Sequence, residues 1–105
     1  MSFSQHELRR AIESDRFEWR KHALQRIAER NLTQDSVVAV ILDGERIQEY
    51  SDDTPFPSVL YLGWIDDKPL HVLVAFDTDE KFAYIITAYY PDSEHFENDF
   101  KTRRN

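Results

Sequence analysis

The sequence holds no cysteine, one methionine, four prolines and only two glycines, Gly44 and Gly63, in 105 residues. Without cysteine there is neither a disulfide framework nor a thiolate metal site, so packing alone must hold the core. Two isolated glycines cannot make a glycine-rich phosphate loop, and neither a GxSxG element nor a cysteine nucleophile is present. No stretch approaches the roughly 18 apolar residues of a membrane span. The opening MSFSQHELRRAIESDRFEWR is polar and charged and lacks the apolar centre of a secretory signal. A soluble, cytoplasmic protein is therefore expected. Basic charge is also scarce: 13 Lys and Arg against 20 Asp and Glu leave a net −7. That balance argues against coating nucleic acid by bulk electrostatics and against unaided DNA binding.

What is present describes a folded chain. Hydrophobic residues make up 41% and charged residues 31%, a globular balance at a length that fits a single domain over 1–105. The charge is unevenly spread. Residues 16–30 hold five basic and two acidic side chains, residues 31–100 three basic and fifteen acidic, and the terminal KTRRN is basic again. If the second helix and the tail meet, an acidic protein still owns one local anion site. The alternative is a solvated helix face and a charged terminus.

The first half reads as helical. SFSQHELRRAIESD spaces Phe3, Leu8, Ala11 and Ile12 on one side with Ser4 as N-cap. From Phe17 to Glu29 the apolar positions Phe17, Leu24, Ile27 and Ala28, with Ala23 at the edge, predict a second helix. Thr33 caps a third over about Gln34–Leu42, Asp35 suits its N-terminal dipole, and Asp43-Gly44 offers a left-handed stop; VVAVIL is β-branched and reads as a strand on propensity alone, but the cap and the stop flank it at helix spacing. After Gly44 the period becomes two, predicting strands at Arg46–Tyr50, Val59–Ile65, Leu70–Phe76 and Phe82–Tyr90. The short turns DDKP and DTDEK make the last three an antiparallel meander. Leu70, Val72, Val74 and Phe76 oppose His71, Leu73 and Ala75, so the central strands are apolar on both faces and need cover on both. SEHFENDFKTRR, with Ser93 as cap and Phe96 and Phe100 four apart, predicts a short C-terminal helix as local cover.

Chemistry is sparser. On the wheel of the second helix His22, Arg26 and Arg30 step by ~40° each along the rim of the apolar stripe, with Trp19 between the two arginines. His22 suits general acid–base work near neutral pH. Against this stands the ordinary fate of surface arginines, stems laid on apolar surface and heads paired with acids such as Glu29. His71, inside an apolar strand, reads more readily as a satisfied structural histidine than as a ligand, and His6 and His95 carry no assignment. The four histidines are scattered without HxH or HxxxH spacing, and the pairs Asp52-Asp53 and Asp66-Asp67 have no calcium-loop pattern, so neither metal nor cofactor is expected. The remaining set suits RNA cleavage: a base for the 2′-hydroxyl, cations for the phosphate, and an acid for the leaving oxygen. Tyr89, Tyr90, Lys101, Arg103 and Arg104 join it if the last strand and tail approach the second helix; aromatic packing and a frayed end are the plainer readings of these groups.

The run KHALQRIAERNLTQDSVVAVILDGERIQEY, followed by KPLHVLVAF, YIITAYYP and a terminal FKTRR, resembles the family catalogued as domain of unknown function 4258. That family looks similar to the RelE/ParE and BrnT toxins of bacterial toxin–antitoxin systems. The resemblance implies helices packed on an antiparallel sheet and a ribonuclease-like role. By match to the H-A-x-x-R-x-x-E-R element it carries over His22, Arg26 and Arg30, and at the strand end Tyr90 with Pro91.

The expected architecture is α+β, N-terminal helices on a four-stranded, mainly antiparallel sheet closed by a short C-terminal helix. The expected function is a toxin-like, metal-independent endoribonuclease acting on mRNA. His22, Arg26 and Tyr90 form its catalytic set, and Arg30, Lys101, Arg103 and Arg104 bind RNA. An antitoxin protein or a second copy is the expected partner. A different class stays open: a non-catalytic interaction module that binds a protein or its own copy through the sheet.

Overall fold

The computed structural model describes residues 3–92 and 99–102. Its elements run α1 (Gln5–Glu13), β1 (Phe17–Trp19), α2 (Lys21–Glu29), α3 (Gln34–Asp43), β2 (Glu45–Tyr50), β3 (Ser58–Ile65), β4 (Lys68–Asp77) and β5 (Phe82–Tyr89). The strands form one mixed sheet in the order β1-β5-β4-β3-β2, with β1 parallel to β5 and every other pair antiparallel. The fold is α+β, with five strands where four were expected.

The extra strand is the Phe17–Trp19 segment, which the helical pattern had claimed for α2. Backbone pairing decides it: Ala83 N–H donates to Arg16 O (3.0 Å) and Arg20 N–H to Ile85 O (2.9 Å). A free edge on β5 thus outweighs local helix propensity in three residues. Arg20 is extended at ψ 155, so α2 begins at Lys21. The shift rotates the buried stripe onto Ala23 and Ile27 and leaves Leu24 and Ala28 exposed. It also removes Trp19 from the helix wheel.

The caps of α1 and α3 form as their sequences require. Ser4 Oγ accepts from Glu7 N–H (3.1 Å) and Glu7 Oε2 accepts from Ser4 N–H (3.3 Å), a capping box. Thr33 Oγ1 accepts from Ser36 N–H (3.0 Å). At the far end of α3, Gly44 is not left-handed: it is extended at φ −78. Glycine is needed for closeness, since a Cβ would stand 2.4 Å from Val40 O and 2.7 Å from Leu62 O. Gly63 serves the same purpose from the sheet, where a Cβ would meet the Val40 side chain at 2.6 Å.

One core lies between the helices and the sheet. Leu8, Ile12, Ala23, Ile27, Val37 and Ile41 pack on Val59, Tyr61, Val72, Val74, Phe76 and Ile85. In β5 the alternation breaks: Leu73 pairs with Thr87 and Val74 with Ile85, so Ile86 is a bulge. The inward set is therefore Ala83, Ile85 and Ala88, not an unbroken every-second pattern. The polar links at the helix side are few and directed. Tyr61 Oη donates to Gln5 Oε1 (2.6 Å), and Gln5 Nε2 donates to Ile41 O (3.0 Å), tying β3, α1 and α3 together. Burial pushes the Tyr61 phenol up to about 12, with the Arg46 guanidinium pulling the other way.

The opposite face is covered without a described helix. The β2–β3 loop folds over it and stacks Phe56 on Tyr84 (centroids 5.4 Å apart, planes at 4°), and Phe100 comes against Trp64 (6.1 Å). The C-terminal helix expected from Ser93 falls mostly outside the described residues. Residues 99–102 form a turn, in which Asp99 accepts from the backbones of Lys101 and Thr102 and Phe100 has φ 57.

Replacing Gly44 with Ala forces two backbone carbonyls apart, and overpacking of this kind costs about 1–3 kcal/mol. The expected result in thermal denaturation of Gly44→Ala is a Tm drop of roughly 4–8 °C per kcal/mol lost. An unchanged Tm would contradict the close approach of α3 and β3.

Candidate functional site

The α2 rim begins at an unusual helix start. Arg20 occupies the N-cap, donates no side-chain cap, and is followed by Lys21 and His22, with no acid in the first turn. The leading N–H groups of α2 thus have no side-chain acceptor among the described residues, and three basic residues stand in sequence around them. Partial positive charge from the helix end adds to that of Arg20 and Lys21. His22 is exposed and makes no hydrogen bond or ion pair among the described residues.

Further along α2 the arginines are neutralised in part. Arg26 Nη1 donates to Glu29 Oε2 (3.0 Å), and Arg30 Nη1 lies 3.8 Å from the same oxygen. Arg30 is the more sheltered of the two, 32% exposed in its side chain against 46% for Arg26. The reason is the rotated stripe, which runs from Ala23 and Ile27 toward position 30. The pairing with Glu29 is the arrangement ordinary for surface arginines, and pairs so exposed hold their partners weakly.

Other expected site residues lie elsewhere. Tyr90 packs at the edge of the helix-side core with Lys68 Nζ 5.9 Å from its ring centre. It stands five residues beyond Ile85, where Arg20 is anchored, which is roughly 16 Å along an extended strand. Lys101 Nζ bonds Glu45 Oε2 (3.2 Å) at the β2 edge, the far side of the sheet from the β1 and β5 region against which α2 packs. The described structure does not join Lys101 to the α2 stripe. Arg103 and Arg104 lie outside the described residues, as does His95.

Arg20 leads instead to a pocket on the second sheet face that the sequence did not reveal. A cavity of about 170 Å³ is bordered by Arg20, Asp53, Phe56, Ser58, Leu73 and Tyr84, among others. The Arg20 guanidinium lies over the Tyr84 ring at 4.6 Å, within cation–π range. Ser58 Oγ donates to Asp53 Oδ2 (2.5 Å) and fixes the carboxylate at the pocket wall. The only advance sign was an aromatic residue between two prolines, Pro55-Phe56-Pro57, in a loop otherwise polar.

His71 is fully buried on the same face, farther toward the tail. Its Nε2 lies 2.7 Å from Phe100 O, an atom that only accepts, so Nε2 carries the proton. Nδ1, 3.2 Å from Tyr89 Oη, then accepts from the phenol. Burial holds the His71 pKa below its usual value, with the Phe100 carbonyl opposing. This is a structural histidine that ties the tail to the sheet. Among the described residues no three of His, Asp and Glu gather as metal ligands, and no helix is long and apolar enough to cross a membrane.

A family model described as "Domain of unknown function (DUF4258)" matches residues 19–90, more than half of the chain. No curated protein and no solved structure matches.

Because the folded state holds His71 neutral, the stability it contributes is complete above its ordinary pKa and is lost as pH falls through and below it. The urea midpoint of the wild type should therefore drop more between pH 7.5 and pH 5 than that of His71→Gln. Parallel losses in the two proteins would show that His71 does not couple the tail to pH.

Proposed function

The chain belongs to the family of Domain of unknown function (DUF4258), and from that premise, which assigns no chemistry, we propose that it is a toxin-like, metal-independent endoribonuclease acting on single-stranded RNA. The observation that carries the reading is the α2 N-terminus: free helix amides amid Arg20, Lys21 and His22, beside an aromatic pocket that Arg20 itself borders. A helix N-terminus attracts phosphate through its N–H groups and dipole. An aromatic platform next to a cationic track is how sequence-tolerant single-strand binding works. The net −7 confines such binding to this one place.

In this reading the phosphate rests at the start of α2, with Arg26 and Arg30 exchanging their shared Glu29 for it. His22 accepts the 2′-hydroxyl proton as that oxygen attacks the adjacent phosphorus. The bond to the 5′-oxygen breaks, water protonates the leaving oxygen, and a 2′,3′-cyclic phosphate remains. Lys101 takes no part in this reading, because it is engaged by Glu45 at the β2 edge.

A second reading has its own support. Trp64 is 55% exposed at the end of β3, and no strand pairs with the outer edge of β2 among the described residues. Such an edge suits a protein partner, an antitoxin or a second copy.

With purified protein in chelator and labelled single-stranded RNA, His22→Ala should cut cleavage by about 100-fold or more while leaving affinity unchanged. The double variant Arg26→Ala/Arg30→Ala should weaken binding and flatten the slope of log K against log salt by about 1.4, two contacts' worth on a single strand. Expression in a bacterial host should arrest growth for the wild type and not for His22→Ala. RNA left intact by the wild type, or cleaved equally by His22→Ala, ends the nuclease reading.

A further inference from the structure

We propose that the pocket on the second sheet face, bordered by Arg20, Asp53, Phe56 and Tyr84, binds guanine. The inference rests on the RNA reading above for its setting and deepens it by naming the base.

The pocket's size and charge select the kind of group that enters. At about 170 Å³ it holds one flat ring system such as a single base, well below the several hundred Å³ of a cavity for a larger ligand. Its floor is apolar, from Leu73, Ala75 and Ile86, and its aromatic wall is the stacked pair Phe56 and Tyr84. That combination suits a ring with a π face. The Asp53 carboxylate at the wall repels a phosphate, so the base enters and the phosphate stays at the sheet edge, where α2 starts.

The polar pair then discriminates among bases. Asp53 offers only acceptors. Ser58 Oγ occupies one lone pair of Oδ2, leaving the second lone pair and both of those on Oδ1 open. Arg20 offers only donors in a planar fork. Guanine alone among the four RNA bases presents two adjacent donors, N1–H and the N2 amine, on one edge and two adjacent acceptors, O6 and N7, on the next. An arginine fork on O6 and N7 is the commonest specific guanine contact. Adenine, cytosine and uracil each lack the paired donors, and each would leave one Asp53 oxygen facing a ring acceptor or nothing.

The test is calorimetric titration of the intact chain with the four nucleoside 5′-monophosphates and with uridine-rich oligoribonucleotides carrying one central G, A or C. Guanosine monophosphate and the G oligomer should each bind at least about tenfold tighter than their counterparts, the worth of one good bidentate pair. Asp53→Asn keeps an acceptor for Ser58 but replaces the other with a donor, and should bring guanine down to the level of the other bases. Arg20→Gln should do the same while the protein stays folded by circular dichroism. Equal affinity for all bases, or a guanine preference that survives Asp53→Asn, overturns the proposal. Guanosine monophosphate selected over the others without any RNA binding sustains the pocket and sinks the RNA reading. RNA bound through α2 with no base preference does the reverse.

Discussion

The architecture depends on a sheet whose central strands are apolar on both faces. In β4, Leu70, Val72, Val74 and Phe76 are fully buried on the helix side, while His71 and Ala75 are buried on the other. A strand of this kind is stable only when water is excluded twice. The helices solve one side by ordinary amphipathic packing. On the other side the described cover is irregular: a loop carrying Pro55, Phe56 and Pro57, and the turn at Phe100.

His71 is the polar exception in that strand, and it shows what such cover demands. A buried imidazole needs a donor and an acceptor, and it finds them in Tyr89 Oη and Phe100 O. The tail is thereby fastened by a side chain that burial keeps neutral against the pull of the Phe100 carbonyl. Lys101 on Glu45 adds an exposed pair of small worth at the β2 edge. Lys101 is thus used within the fold and does not extend the basic start of α2.

The edges of the sheet explain where exposed chemistry can sit. β1 contributes three residues and then releases the chain into α2, so the parallel edge ends at Arg20 and the helix start. At the opposite edge β2 carries a register shift at Arg46 and Gln48, which turns Arg46 inward to donate to Phe3 O (2.8 Å) between the Phe3 and Tyr61 rings. Bulges and charges of this sort blunt an edge against unwanted pairing. The β2 edge is thus tied through Arg46 to Phe3, just before α1, and the other edge opens on the basic turn and the aromatic pocket.

Periodicity determined the α+β class, the first two helices, four strands within about two residues of their ends, and the two-sided burial of β4, because repeats of 3.6 and 2 record which face meets the core, while the flanking cap and glycine marked the third helix. The Ser4 and Thr33 caps were equally legible, since a cap is a bond between residues three apart. Backbone pairing across 66 residues made Phe17–Trp19 a strand, and this centred the α2 stripe on Ala23 and Ile27 and left Leu24 and Ala28 exposed; no local pattern contains a partner so distant. The bulge at Ile86 and the closeness required at Gly44 arise the same way, from strands and a helix fitted against each other. His22, Arg26 and Arg30 could be singled out by spacing, and the pairing of the two arginines with Glu29 is local, yet the separation of Lys101 from them was decided by the packing. The pocket of Arg20, Asp53, Phe56 and Tyr84 draws on three separate segments of chain, and only the folded sheet brings them to one place.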